Sequence, residues 1–232
     1  MHIEGTPALL NLLQLTDSFF PSGSFAYSWG LETCVSEGLV EGVDGLGGFL
    51  AAYLKGQLAR SDALVAKLAF DAAGSGDLAA VVRLDNKLNA MKTARECREG
   101  GLQIGKQILK VVNALHRSAF LGEFAGSIEA RKSRGHHAPV FGVVCRVLGV
   151  AKRDCMQGFL YQAASGIVSA GVRLIPLGHM DGQAALEQIK PLMVGIADEI
   201  EPLGEDDISS FAPGIEIRAM RHETLYTRLF RS

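Results

Sequence analysis

From Gly100 to Gln107 the chain reads GGLQIGKQ, which sets two glycines and Lys106 at the spacing of a phosphate-cradling loop, G-x-x-x-x-G-K-[ST]. Such a loop needs an apolar strand to aim it and a hydroxyl after the lysine to hold magnesium. Here the hydroxyl position is Gln107, and the polar, helix-prone KTARECRE precedes Gly100. The segment therefore reads as helix, with small residues on one face and Lys106 and Lys110 on another. His136 and His137 are neighbours, and adjacent side chains on a helix diverge by about 100°, which is poor geometry for sharing one ion. They read as cap or first-turn residues. His179 and His222 stand alone in sequence, and no HxxxH, HExxH or EF-hand pattern occurs. Ser22, Ser24 and Ser28 lie close to glycines in FPSGSFAYSWG, but that is not the strand-to-helix G-x-S-x-G elbow of hydrolases. Cys34, Cys97, Cys145 and Cys155 form no CxxC pair and read as reduced, packed thiols. The sequence thus assigns no catalytic residue and no metal ligand.

The elements that hold these residues are helical by periodicity. From Arg153 to Pro176, Met156, Leu160, Ala163, Ile167, Gly171 and Leu174 recur three or four residues apart, with Phe159, Ala164 and Val168 beside them. A stripe that wide predicts a central helix. Asp77 to Met91 carries a narrower stripe, Val81, Leu84, Leu88 and Met91, with Arg83, Asp85 and Lys87 turned to water and Asp77 as cap. Asp62 is placed to cap a helix running to Ala73, and Asp44 or Gly45 to open one running to about Ala59. Thr93 to Ala119 reads as helix. So does Asp181 to Glu201, where Pro191 should kink or divide it. HHAPVFGVVCRVLGV has strand-like valines but no second strand to pair with, and is assigned to helix. Gly105, Gly142, Gly158 and Gly166 fall inside these patterns, either to let helices approach closely or to mark helix ends.

The expected fold class is all-α, a single-domain bundle of roughly eight to ten helices with a C-terminal docking tail. Residues 1–201 form the body, 202–213 an acidic linker bracketed by Pro202 and Pro213, and 214–232 a partner-docking segment. A chain of 232 residues, 48% hydrophobic and 21% charged, can bury a substantial core. Its formal net charge of −2 and pI near 6.3 leave no global footprint for nucleic acid or an anionic membrane. No stretch approaches the run of about 18 apolar residues of a membrane span, and MHIEGTPALLNLLQLTDS lacks the layout of a secretory signal. A cytoplasmic location follows as the expectation.

The two ends stand out. Phe19, Phe20, Phe25, Tyr27 and Trp29 gather with Pro21, Gly23 and Gly30 in a turn between a first helix (Pro7 to Leu15) and a second (Ser28 to Ser36), with Ser28 as cap. These aromatics either fill the core beneath the turn or form a platform for another protein. At the other end Arg218, Arg221, Arg228 and Arg231 alternate with Met220, Leu225, Tyr226, Leu229 and Phe230. Burying such apolar side chains gains about 1.5–3 kcal/mol each and ordering the backbone costs roughly 1–2 kcal/mol per residue. That balance predicts a tail mobile alone and ordered against a partner. Tyr and Arg are also enriched in interface hot spots.

Five ordered blocks carry a family resemblance: LLQLTDSFFPSGSFAYSWGLE ending at Glu32, KTARECREGGLQIGK from Lys92, HHAPVFG from His136, VRLIPLGHMDGQ from Val172 and MRHETLYTRLFRS from Met220. Through them the chain resembles the urease accessory protein F family (UreF). The resemblance implies an all-α homodimer that joins a GTPase (the G protein) and a scaffold (the D or H protein). Together they act as a GTP-dependent chaperone that admits nickel and carbon dioxide to urease apoprotein. It implies no catalysis and no cofactor in this chain, nickel and GTP being handled by the complex, and neither nucleic acid nor membrane as partner. Tyr27, Ser28 and Glu32 fall in the first block as partner-binding residues, and Arg221, His222, Tyr226, Arg228 and Phe230 in the last. Arg218 and Leu229 join them from the composition of the tail. Arg221 and Arg228 are also candidates for a finger reaching into the partner GTPase.

Overall fold

The computed structural model describes residues 8–232, and among them every regular element is helical. Pro7, the expected start of the first helix, lies outside the described residues. Helix α1 (Ala8–Thr16) leads through the aromatic turn to a short α2 (Leu31–Ser36). The second helix begins later than expected because Trp29 (φ 56°) and Gly30 (φ 90°) are both left-handed, which no helix tolerates in succession. Gly30 is also where the chain's last helix crosses: an added Cβ would lie 3.3 Å from Ala219 N and Ile215 O.

Helix α3 (Gly42–Ala52), a π-helical segment (Tyr53–Ala63) and α4 (Leu64–Gly74) follow without interruption. Asp62 therefore caps nothing, and no helix ends at Ala59. Its carboxylate is instead buried against Lys92 and accepts the Ser61 hydroxyl, a long-range partner that outcompetes local capping. The wider π turn leaves carbonyls available to other partners. Gly56 O accepts from Phe211 N–H at 3.0 Å and Arg60 O from Ser209 N–H at 3.0 Å. The acidic linker is thus bonded to the body, and Glu205 adds an ion pair to Arg83 at 3.0 Å.

In α5 (Leu78–Met91) Asp77 caps as expected, accepting from Ala80 N–H at 2.9 Å. Asp85, expected in water, is fully buried. It accepts the Ser133 hydroxyl and the N–H groups of Arg134 (2.6 Å), Gly135 (2.7 Å) and His136 (2.8 Å), which fixes the turn before α8. The charge faces inward because a ring of backbone donors waits there, which helix periodicity cannot reveal.

Helix α6 (Arg95–His116) contains the whole GGLQIGKQ run, so its amides serve the helix and offer no phosphate cradle. α7 (Ala119–Glu129) was not anticipated as a separate helix. The break falls at Arg117, whose φ of 44° is left-handed. His136 is the residue before α8 (His137–Val147), and every residue from Ala138 to Cys145 is buried. α8 packs on α4 closely enough that a Cβ on Gly142 would overlap the Ala66 carbonyl. Gly105 and Gly158 are likewise hemmed in, a Cβ on Gly158 falling 2.7 Å from Leu12 Cδ1, whereas Gly166 faces open space. α9 (Lys152–Leu174) is the central helix its stripe predicts, in contact with α1, α2, α3, α8 and α10.

α10 (His179–Ile200) passes through Pro191 undivided. Pro191 is exposed, so the carbonyl that loses its donor turns to water and the ring displaces no packing. α11 (Pro213–Arg221) packs on α2 and α6. Four buried cysteines are free thiols. Among the described residues no helix is long and apolar enough to cross a membrane, and no three His, Cys, Asp or Glu side chains are placed to hold a metal ion.

Candidate partner-binding surface

The left-handed pair at Trp29 and Gly30 turns α2 so that Glu32, in its first turn, points beneath α11 and the tail. The two ends of the chain meet there. Glu32 Oε1 accepts from Leu229 N–H at 2.6 Å, and Oε2 from Phe230 N–H at 3.0 Å. Glu32 Oε2 also lies 2.8 Å from His222 Nε2, while His222 Nδ1 lies 2.6 Å from Glu96 Oε2 on α6. Arg228 completes the row, donating to Glu96 Oε1 at 2.8 Å.

Ser28 sits under the end of the tail. Its N–H donates to Ser232 O at 2.6 Å, its hydroxyl donates to the same oxygen, and that hydroxyl in turn accepts from Glu32 N–H at 3.3 Å. Ser28 therefore does support the start of α2, from three residues before Leu31. Tyr27 is buried, stacked on Trp29 with ring centres 5.3 Å apart, over Gly100, and donates to Gln103 Oε1 at 2.8 Å. Phe230 is buried beneath Arg173, whose guanidinium carbon lies 4.4 Å from the ring centre. Arg173 also donates to Phe25 O at 3.1 Å, and Arg231 N–H to Ala26 O at 2.8 Å.

The outer arginines are paired as well. Arg218 and Arg221 share Glu37, at 3.0 and 3.1 Å, and Arg95 holds Glu223 at 2.7 Å. Exposed pairs of this kind add little stability singly, but together they fix the direction of α11. A finger role for Arg221 or Arg228 would require breaking these ties first.

The ten residues singled out from sequence thus divide. Tyr27, Ser28, Glu32, His222 and Phe230 are buried, and the last four hold the two ends together. Arg218, Arg221 and Arg228 are ion-paired at the surface. Tyr226 and Leu229 project into solvent, Tyr226 with its whole side chain exposed. The tail, expected to be loose until a partner arrives, is seated on its own N-terminal block. Burial within the tail alone would not seat it; Glu32 does, by answering two tail amides and a buried ring at once. Glu96, Glu37, Arg173 and Gln103 are the residues sequence reasoning missed. Nothing in their spacing marks them, since each meets its partner only after the helices have packed.

A family model described as UreF matches residues 40–190. Over 224 residues the chain is 38% identical to the urease accessory protein UreF of Lachnoclostridium phytofermentans, covering 97% of this chain and 98% of that one. Its namesake from Bacillus sp. (strain TB-90) is also 38% identical, with 97% and 99% covered. The Haemophilus influenzae (strain PittGG) protein of the same name is 35% identical over 221 residues, 95% of this chain and 94% of its own.

Proposed function

Since the chain belongs to the UreF family of urease accessory proteins, we propose that it acts without catalysis of its own as a scaffold in a GTP-dependent chaperone complex. In that complex it presents an accessory GTPase to the D or H scaffold protein, modulates the GTPase cycle, and so serves nickel insertion into urease apoprotein. It works in the cytoplasm as a homodimer and holds no cofactor. Nickel is cargo and GTP belongs to the partner.

One observation supports this reading above the others. Tyr226 and Leu229 stand exposed on a tail that is tied down on both sides, by His222 before them and Phe230 after. A pre-ordered apolar pair meets a partner without the cost of ordering the chain at that moment. Exposed Phe19, Leu9, Leu10 and Leu13 add apolar surface at the other end, suited to further contacts.

The test separates docking from folding. The double variant Tyr226→Ala/Leu229→Ala removes the exposed pair and leaves the buried ties intact. It is expected to lose at least about tenfold in affinity for the D or H protein, the scale of one or two hot-spot side chains, and to leave urease short of nickel. Urease activation at the unmodified level would sink the assignment of the tail. Deleting Met220 to Ser232 is expected to abolish the same binding, and the mass of the purified chain tests the homodimer.

A further inference from the structure

Of the four glycines singled out within the helical patterns, close packing explains Gly105, Gly142 and Gly158 but not Gly166. A Cβ added there would meet nothing within 4 Å, although glycine disfavours a helix relative to alanine. The open space beside it is a cavity of about 50 Å³, with Trp29, Tyr53 and Phe159 among its walls. Polar groups converge on it from four elements: Gln57 and Asp62 from the π segment, Lys92 after α5, His136 and His137 at the start of α8, and Gln162 from α9. Lys92 and Asp62 satisfy each other. Five atoms make no well-formed hydrogen bond to protein: Gln57 Oε1, both ring nitrogens of His136, His137 Nε2 and Gln162 Oε1, with His137 and Gln162 near enough to interact with each other.

These five call for both kinds of hydrogen-bond partner. Burial pushes His136 and His137 down to about 4, so near neutral pH each is an uncharged imidazole with one donor and one acceptor nitrogen. The two glutamine oxygens only accept. A cation placed here would face Lys92 and an imidazole N–H; an anion would face Asp62 and the glutamine oxygens. A small neutral molecule that donates and accepts at once answers the whole set. Leaving a buried polar atom unpaired is costly, and five together would be a serious burden on a marginally stable fold.

We propose that this cavity is a built hydration site, in which a cluster of ordered waters bridges Gln57, His136, His137 and Gln162, with Gly166 keeping the room open. At roughly 10–15 Å³ of such space per water, it accommodates about three to five. Trp29 and Ser24 also line it, so the cluster supports the underside of the segment on which the tail is seated. The site stands whether or not the tail docks a partner.

A crystal structure of the full chain at a resolution that shows bound water, with oxygen-17 relaxation dispersion to count long-lived waters in solution, tests this. Ordered water is expected within hydrogen-bonding distance of the His136 and His137 ring nitrogens. Gly166→Leu, which fills the cavity, is expected to remove that water and lower the long-lived count while the helical circular dichroism stays unchanged. Side chains rotated to pair with one another, a dry cavity, a bound metal ion or another molecule in place of water, or an unchanged count in a folded Gly166→Leu would each overturn the proposal. If Gly166→Leu does not fold, the crystal and the relaxation count of the unmodified chain decide the matter alone.

Discussion

Glu32 illustrates how much one buried carboxylate can organise. It binds two tail amides and a histidine ring, and removing one member of such a set leaves the others buried and unanswered. Glu32→Ala is expected to unseat the tail at a cost of about 3–5 kcal/mol. Hydrogen exchange at the Leu229 and Phe230 amides should then rise toward the unprotected rate. Tyr226→Ala, which alters only an exposed side chain, should leave those amides protected. Asp85 has the same role in the body, with four donors converging on it. Asp85→Ala is expected to cost about 3 kcal/mol or more, because the amides of Gly135 and His136 lose their acceptor while remaining buried. An unfolding midpoint in urea near that of the unmodified chain would contradict it.

Among the elements, contacts between helices decide which glycines matter. Gly142 stands where α8 meets the backbone of α4, and backbone yields less readily than the end of a side chain. Gly142→Ala is expected to destabilise by about 1–3 kcal/mol or more, the range of an overpacked core. Gly126 on α7 is exposed with nothing within 4 Å, so Gly126→Ala should be neutral or stabilising by up to about 1 kcal/mol. Thermal melts of the two variants should move in opposite directions. The acidic linker shows the same dependence on a neighbour. Its prolines and charges read as a spacer, yet the π-helical segment offers Gly56 O and Arg60 O to its amides. A π turn inside a long helix has no reliable mark in the sequence, so neither the uninterrupted run from Gly42 to Gly74 nor the seat of the linker was legible.

For the whole molecule, the buried histidines set a pH dependence. His136 and His137 sit at about 4 when folded against 6.5 when exposed, held down chiefly by burial. Asp62 and Asp85 oppose that shift at His136, while Lys92 and Arg98 add to it. Between those two values the unfolded chain binds protons that the native chain does not, so stability is full above about pH 6.5 and falls as pH drops toward 4. The loss is on the order of 3 kcal/mol per histidine at most. A urea midpoint that stays constant between about pH 7.5 and 5 would rule this out.

Fold class, the central position of α9, the cap at Asp77 and the placement of His136 and His137 at the start of α8 were all determined by the sequence itself. Each rests on the periodicity of apolar side chains or on a bond spanning a few residues, and such signals survive in one dimension. The misplaced residues share the opposite property. Asp62, Asp85 and the tail were read by their local options, and each has a partner 30 or more residues away in the chain. Charged and polar groups are short-ranged in space but indifferent to sequence distance, so only the packed structure selects among their possible partners. That selection joins the two ends of the chain into one surface and leaves Tyr226 and Leu229 as its exposed part.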